Sequence, residues 1–365
     1  AGTANTEFEV LTGMSLDYFG TCEYPYKTVL KNTPTESLCT NLSPYGYSTH
    51  AIHNNTGTFY DRHIVYPCLG FDTFTPLEYM TNIQYNSIGW AKDSILTGEI
   101  IKALDSTPGR DFVFTVSVQA HGKYPRDKNR SRIFVSGGED TGLTNAVEYY
   151  VNQVSEVDRF IGDLTERLSE YDEKVLLVMY GDHLPSLDIT DETTKTGDVF
   201  KTEYVMWSNY DLAAEDCDLY AWQLSSHILD VLKLSGGPVS RLHSLRGENP
   251  DYLQDLEALE YDLLYGDFEI FDGVNPYKAT DMQMGAEPVS IAYWVNSGTD
   301  LCIKGSNFTV FSHVYINGKE YDTVYVSSAT LMVADANMYK GDELAVAQLT
   351  SDGYELGRAV YTPKR

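Results

Sequence analysis

Basic residues are scarce in this chain: 26 Lys and Arg stand against 53 Asp and Glu, a formal net charge of -27. A surface this acidic repels nucleic acid, whose binding depends on basic side chains displacing counterions from phosphate, so nucleic-acid partners are excluded. No local basic patch draws the chain towards anionic headgroups, and an anionic substrate would need a cation to receive it; the bland account of the charge is solubility. Long apolar runs are also missing. No stretch reaches the roughly 18 apolar residues that a membrane-spanning helix needs. The opening AGTANTEFEV has neither the basic start nor the apolar centre of a signal peptide, so any targeting segment is expected upstream of it. Cysteines are few and scattered (Cys22, Cys39, Cys68, Cys217, Cys302), with no CxxC pair. That spacing argues against a zinc ribbon or a fully paired disulfide framework and leaves room for one bridge, such as Cys22–Cys39. Internal repeats and low-complexity tracts are absent.

What remains is an ordinary globular composition, 42% hydrophobic and 22% charged over 365 residues, enough for a large domain and a smaller one. The runs YSTHAIH (47–53), DFVFTVSV (111–118), KVLLVMYG (174–181) and TEYVMWS (202–208) read as buried parallel strands. Helical periodicity lies between them, around 91–105 and most strongly over 144–170, where Val147, Val151, Val154, Val157, Phe160, Ile161 and Leu164 share one face. A further helix at 219–234 is expected to stop at Gly236–Gly237. Strand alternating with helix predicts an α/β sandwich on a mainly parallel sheet. Beyond residue 285 short β-rich runs are punctuated by Asn-Gly, Ser-Gly and Asp-Gly turns, the pattern of an all-β sandwich of about 80 residues. The expected division is a catalytic domain over 1–245, an acidic, aromatic linker over 246–284, and the β-sandwich over 285–365.

The chemistry-bearing residues cluster at strand ends. Tyr180-Gly181-Asp182-His183 follows an apolar strand directly, placing Asp182 and His183 at the carboxyl edge where α/β folds bind ligands. An adjacent oxygen and imidazole donor suit Mn²⁺, Mg²⁺ or Zn²⁺. The alternative is Asp182 capping a turn beside an exposed His183. His121 leaves a second strand before the backbone break at Gly122 and Pro125, either as a site residue or as a loop histidine. A third strand ends in His53-Asn54-Asn55, with Phe59-Tyr60-Asp61-Arg62 beyond. Arg62 has the fork that grips phosphate bidentately, or forms an ion pair at the surface.

Gly46-Tyr47, His53-Asn54-Asn55, Phe59-Tyr60-Asp61-Arg62 and Leu69-Gly70-Phe71-Asp72-Thr73-Phe74 together resemble a block of the lipoteichoic acid synthase family, which reads GY…HG(N/D)…FWNRD…GYD.F. Tyr180–His183 resembles that family's metal-binding YGDH, and His121 falls at its substrate histidine. Gly2-Thr3-Ala4-Asn5-Thr6-Glu7-Phe8 is similar to its GKT(A/S)(D/N)SEF, in which the threonine is nucleophile and metal ligand. Motif order and spacing agree over residues 1–235, and Leu259–Asp267 with the Ig-like tail resembles clostridial-type members. Three departures stand out: Tyr60 replaces the family's tryptophan and His63 its following aspartate; Asn55 stands where some members have aspartate; and no strand ending in the family's glutamate ligand precedes Thr3.

The resemblance implies a sulfatase/alkaline-phosphatase-like fold and a phosphoglycerol transferase. Thr3, Asp182 and His183 would hold one divalent cation, manganese or in its place magnesium or zinc. Thr3 would attack phosphatidylglycerol, and His121 would serve the leaving and entering oxygens. His53, Asn55, Tyr60, Arg62 and His121 would hold the glycerophosphate, and a glycolipid or teichoic acid chain would accept it. The implied setting is the outer face of a bacterial membrane, with anchoring helices upstream. Rival readings are a hydrolase or phosphodiesterase of the same superfamily, a phosphoethanolamine transferase, and a non-catalytic surface-binding protein. The C/S-x-P-x-R motif of sulfatases is absent, and eight histidines leave little surplus for a second metal. The Ig-like tail is expected to be a spacer or a wall-facing contact.

Overall fold

The computed structural model describes residues 2–21, 23–213 and 215–362. Cys22 lies outside them, so a bridge from it to Cys39 does too; Cys39 itself is buried. Before the sandwich, the described strands are β1 (Tyr47–His53), β2 (Thr73–Pro76), β3 (Arg110–Val116), β4 (Leu176–Tyr180), β5 (Tyr204–Ser208) and β6 (Gln283–Met284). The helices are α1 (Thr3–Thr12), α2 (Leu38–Leu42), α3 (Arg62–Cys68), α4 (Leu96–Asp105), α5 (Thr141–Ser169), α6 (Leu224–Leu232), α7 (Pro238–Arg246) and α8 (Tyr252–Leu264).

Strands β3-β1-β2-β6 form an all-parallel sheet, with Ile52 level with Thr115 and Ala51 level with Phe74. Alternate β1 side chains enter opposite layers, as the two-residue strand period requires. Ala51 joins Phe74 and Phe114 in a core with Ala4, Phe8 and Leu11 of α1. Ile52 faces the other way, among Leu96, Ile100 and Ala103 of α4 and Phe160, Leu164 and Leu168 of α5. The last three recur at i, i+4, so α5 presents one apolar stripe to the sheet. Asp140 starts α5 by accepting the amides of Gly142 and Leu143 at 2.7 and 3.1 Å. Truncating fully buried Leu164 to Ala would cost about 2–5 kcal/mol.

Four expectations are corrected. The runs around β4 and β5 are not parallel strands of the main sheet. They pair with each other antiparallel, Tyr180 opposite Tyr204, because the long 181–203 connection turns the chain back beside itself. Their side chains are half-buried or exposed rather than buried. Segment 246–284 is not a linker: Tyr252, Leu256, Leu263 and Leu264 of α8 lie in the same core as α1, and β6 extends the sheet. The helix expected over 219–234 ends at left-handed Lys233, and Gly236–Gly237 instead opens α7. Glu36 accepts the amides of Val239 and Ser240 at 2.9 and 3.1 Å there, and a Cβ on Gly237 would stand 2.6 Å from that carboxyl group.

The remaining strands are β7 (Ser290–Ser297), β8 (Asp300–Ser306), β9 (Ser312–Ile316), β10 (Lys319–Tyr321), β11 (Val324–Ser327), β12 (Thr330–Val333), β13 (Leu344–Leu349) and β14 (Glu355–Val360). They make two antiparallel sheets, β10-β9-β13-β14 and β11-β12-β8-β7. Leu301, Ile303, Val314, Ile316, Leu331, Val333, Leu344 and Val346 fill the space between them. Strand β13 is buried along its whole length. A strand buried on both faces is covered outside as well as inside.

Candidate active site

Thr3 is the first residue of α1, after an extended Gly2 whose carbonyl accepts the Asn5 amide at 2.9 Å. The first amides of a helix lack intrahelical partners and concentrate positive potential, so the Thr3 hydroxyl sits where developing negative charge is stabilised. The Thr6 hydroxyl, one turn on, donates to the Asp182 carbonyl at 2.8 Å and ties α1 to the loop leaving β4. Across that tie, Thr3 Oγ1 lies 3.5 Å from His183 Nε2. Asp182 Oδ2 lies 3.5 Å from the same nitrogen, while Oδ1 accepts the His183 amide at 2.9 Å.

The His183 tautomer follows from its other nitrogen. Nδ1 is 2.9 Å from the Leu184 carbonyl, which only accepts, so Nδ1 carries a proton and Nε2 is the nitrogen that faces Thr3 and Asp182. Donors about 2.1 Å from one tetrahedral divalent ion stand roughly 3.4 Å apart, so this spacing and this hydroxyl–carboxylate–imidazole set fit a metal. Among the described residues, no group of three or more His, Cys, Asp or Glu gathers to hold a metal.

The predicted substrate residues are placed in different ways. His121 follows β3, its ring 6.5 Å from that of His183 and edge-on to Trp90 at 5.3 Å. Its Nδ1 donates to the Gly122 carbonyl at 2.6 Å, leaving Nε2 for other work. His53 ends β1 fully enclosed; Nδ1 donates to the Val116 carbonyl at 2.8 Å, and Nε2 is a buried lone pair without a partner among the described residues. Burial, then the nearby Arg62 charge, pushes its pKa well below the ordinary histidine value, so the ring is neutral and an acceptor. Tyr60 adopts a left-handed φ of 57° and stacks beside Tyr24, with ring centroids 6.5 Å apart. A Cβ on Gly2 would stand 3.7 Å from the Tyr60 hydroxyl, which places that ring beside the nucleophile's turn. Asn55 accepts the Thr56 amide with its side-chain oxygen at 2.8 Å, fixing a turn rather than pointing that oxygen at a ligand.

Arg62 differs most from its expected place at a substrate phosphate. It is 0% exposed, with Nε 3.2 Å from Glu7 and Nη2 hydrogen-bonded to the same carboxylate. Its Nη1 donates to the Phe59 carbonyl at 3.2 Å. The hydroxyls of Tyr26 and Tyr66 each donate to Glu7 at 3.1 Å. Burial and the Glu7 charge hold both phenols well above their usual pKa. Glu7 is a residue that motif reading passed over, although its place four after Thr3 puts both on one face of α1.

A family model described as Sulfatase matches residues 1–232. Among curated proteins, the chain is 34% identical over 223 residues to a putative cyclic beta-1,2-glucan modification protein of Rhizobium meliloti (strain 1021), covering 57% of this chain and 35% of that one. It is 26% identical over 151 residues to lipoteichoic acid synthase 2 of Bacillus subtilis (strain 168), covering 40% of this chain and 23% of that one. The chain thus spans about a third or less of these relatives. Among solved structures, the Streptococcus pyogenes phosphoglycerol transferase GacH in complex with sn-glycerol-1-phosphate superposes with a TM-score of 0.64 at 21% identity, covering 74% of this chain and 75% of that one. The α/β fold with a C-terminal antiparallel region, and the likeness to lipoteichoic acid synthases, agree with the expectations from sequence.

Proposed function

The chain belongs to the sulfatase family, and from that premise we propose that it is the catalytic part of a metal-dependent phosphoglycerol transferase working through a phospho-threonine ester. The observation that carries the reading is the convergence of Thr3 Oγ1 and Asp182 Oδ2 on His183 Nε2, each at 3.5 Å, at the N-terminus of α1. Thr3, Asp182 and His183 would hold a divalent ion, manganese or else magnesium or zinc, which when bound would lower the pKa of the hydroxyl and offset phosphoryl charge.

Thr3 Oγ1, its proton released to solvent, forms a bond to the phosphorus of phosphatidylglycerol as the bond to the diacylglycerol oxygen breaks. The amides at the start of α1 receive negative charge that builds on the phosphoryl oxygens. His121, protonated, gives its Nε2 proton to the departing oxygen; neutral, the same nitrogen takes the proton of the acceptor hydroxyl that displaces Thr3. His53 Nε2 accepts a glycerol hydroxyl, Tyr60 covers the glycerol, and Asn55 shapes the turn between them. Arg62 acts through Glu7 to hold α1, and therefore Thr3, in place.

The acceptor is a glycolipid or a polyglycerolphosphate chain. The relative named for glucan modification favours a second reading, in which a glycan hydroxyl receives the phosphoglycerol. The setting proposed is the outer face of a membrane; no described helix is long and apolar enough to cross one.

Manganese-loaded protein incubated with fluorescent phosphatidylglycerol should release diacylglycerol, and Thr3→Ala should abolish the release. Unchanged release by Thr3→Ala ends the model. Release of free glycerol phosphate with every acceptor absent from the products would establish the hydrolase instead. Supplying polyglycerolphosphate and a β-glucan in parallel separates the two acceptor readings.

A further inference from the structure

We propose that the C-terminal β-sandwich is a working part of the donor site, with Thr309 and Gln348 as positioning residues that act through Glu78 on the loop carrying Asn55 and Tyr60. The proposal rests on the donor-site reading of that loop given above. It replaces the expectation of a spacer.

The loop after β1 takes its shape from outside itself. The Leu77 amide donates to the Asn55 carbonyl at 3.1 Å. The Glu78 carboxylate accepts the Thr56 hydroxyl at 2.6 Å and the Gly57 amide at 3.1 Å. Glu78 is buried, and it clamps two consecutive loop residues immediately after Asn55. Its placement depends in turn on the sandwich. The Glu78 carbonyl accepts the Thr309 hydroxyl at 2.7 Å and Gln348 Nε2 at 3.0 Å. Gln348 Nε2 also reaches Thr309 Oγ1 at 3.0 Å, and its Oε1 accepts the Ser312 hydroxyl. Thr309, Ser312 and Gln348 are all buried, so a satisfied polar network runs from β13 to the loop without crossing water.

Apolar contacts follow the same line. A Cβ on Gly57 would stand 3.1 Å from Pro76 and 3.2 Å from the Leu356 methyl groups of β14, so the loop lies close against the sandwich there. Tyr354 meets the ring of His63 edge-on at 4.9 Å, next to Arg62. A tether needs none of this. Buried polar groups that are fully paired specify one arrangement, and losing one partner leaves the others unpaired at a cost. The metal-binding side is held separately, by α1 and the loop after β4. Loosening the sandwich contact should therefore impair donor binding and spare the metal.

The test is Gln348→Leu, with Thr309→Val as a second variant of smaller disturbance, in the full chain. Hydrogen exchange over residues 54–63 should speed up roughly tenfold or more, the equilibrium change expected for losing a buried hydrogen bond. The KM for phosphatidylglycerol should rise roughly tenfold, while kcat and manganese affinity stay within about twofold. Unaltered exchange and KM in both folded variants would overturn the proposal. So would parallel losses of kcat, metal affinity and melting temperature, which mark a purely structural role. If the wild-type protein turns over no phosphatidylglycerol, the functional reading fails, while the exchange experiment still decides the positioning claim.

Discussion

Glu7 and Arg62 form a closed pair in the floor of the site: the carboxylate takes two guanidinium nitrogens and two tyrosine hydroxyls, and the arginine is 0% exposed. Because Glu7 is one turn from Thr3 on α1, the pair fixes the helix that presents the nucleophile.

Removing one member should therefore be costly and removing both less so. Arg62→Met leaves Glu7 charged and buried, and a loss of about 3–5 kcal/mol in denaturant unfolding is expected. The double variant Glu7→Gln with Arg62→Met should recover part of that loss, since no lone charge remains. A double variant as unstable as the sum of its parts would show that the pair is not coupled.

His183→Gln should weaken manganese binding by about two orders of magnitude in calorimetry, since amide nitrogen is a poor ligand where a fixed imidazole lone pair stood. Asp182→Asn should weaken it as well. Retained affinity in both variants would place the metal elsewhere.

Behind α1, two carboxyl groups respond to pH. Burial raises Glu260 to about 8 and Glu9 to about 7, from an ordinary 4.5, and the nearby Glu9 charge adds to the rise at Glu260. A raised acid pKa means the folded state holds its proton, so this contribution to stability is complete below about 4.5 and is lost as pH rises through 7 to 8. The melting temperature should accordingly fall between pH 5 and pH 8. Glu260→Gln keeps an oxygen for the Ser15 amide, 2.9 Å away, and should flatten that fall. An identical pH profile would show that Glu260 does not titrate in this range.

His53 should not titrate at all near neutrality, because burial and the Arg62 charge both oppose a proton. Its ring signals in NMR should stay in the neutral form from pH 9 to pH 6. His53→Phe should fold and lose about tenfold or more in affinity for sn-glycerol-1-phosphate, the value of one hydrogen bond in a closed site. Equal affinity would remove His53 from the donor site.

Several strands were readable in the sequence because apolar runs precede His53, His121 and Asp182–His183 and mark β1, β3 and β4. β1 falls on the predicted run, residue for residue, and β3 within a residue or two. The pairing of β4 with β5 was not readable, since both are apolar runs and direction depends on how a long polar connection folds back. Nor was the burial of α8: its acidic face looks like a linker, and only the spacing of Leu256, Leu263 and Leu264 hints at packing. The motif around Arg62 marked a cation without naming its partner. Glu7 is 55 residues away in sequence, a contact no local pattern reports.

The hydrogen-bonded join at Glu78 also bears on how such a protein can change over time. A tail hung on a flexible segment can be gained, lost or exchanged without penalty, whereas one that shares buried bonds with a binding loop is inherited with it. Positions 56, 57 and 78 should then vary in concert with 309, 348 and 356 across descendants of this chain. A recombinant carrying a foreign sandwich should need changes at the loop before it works.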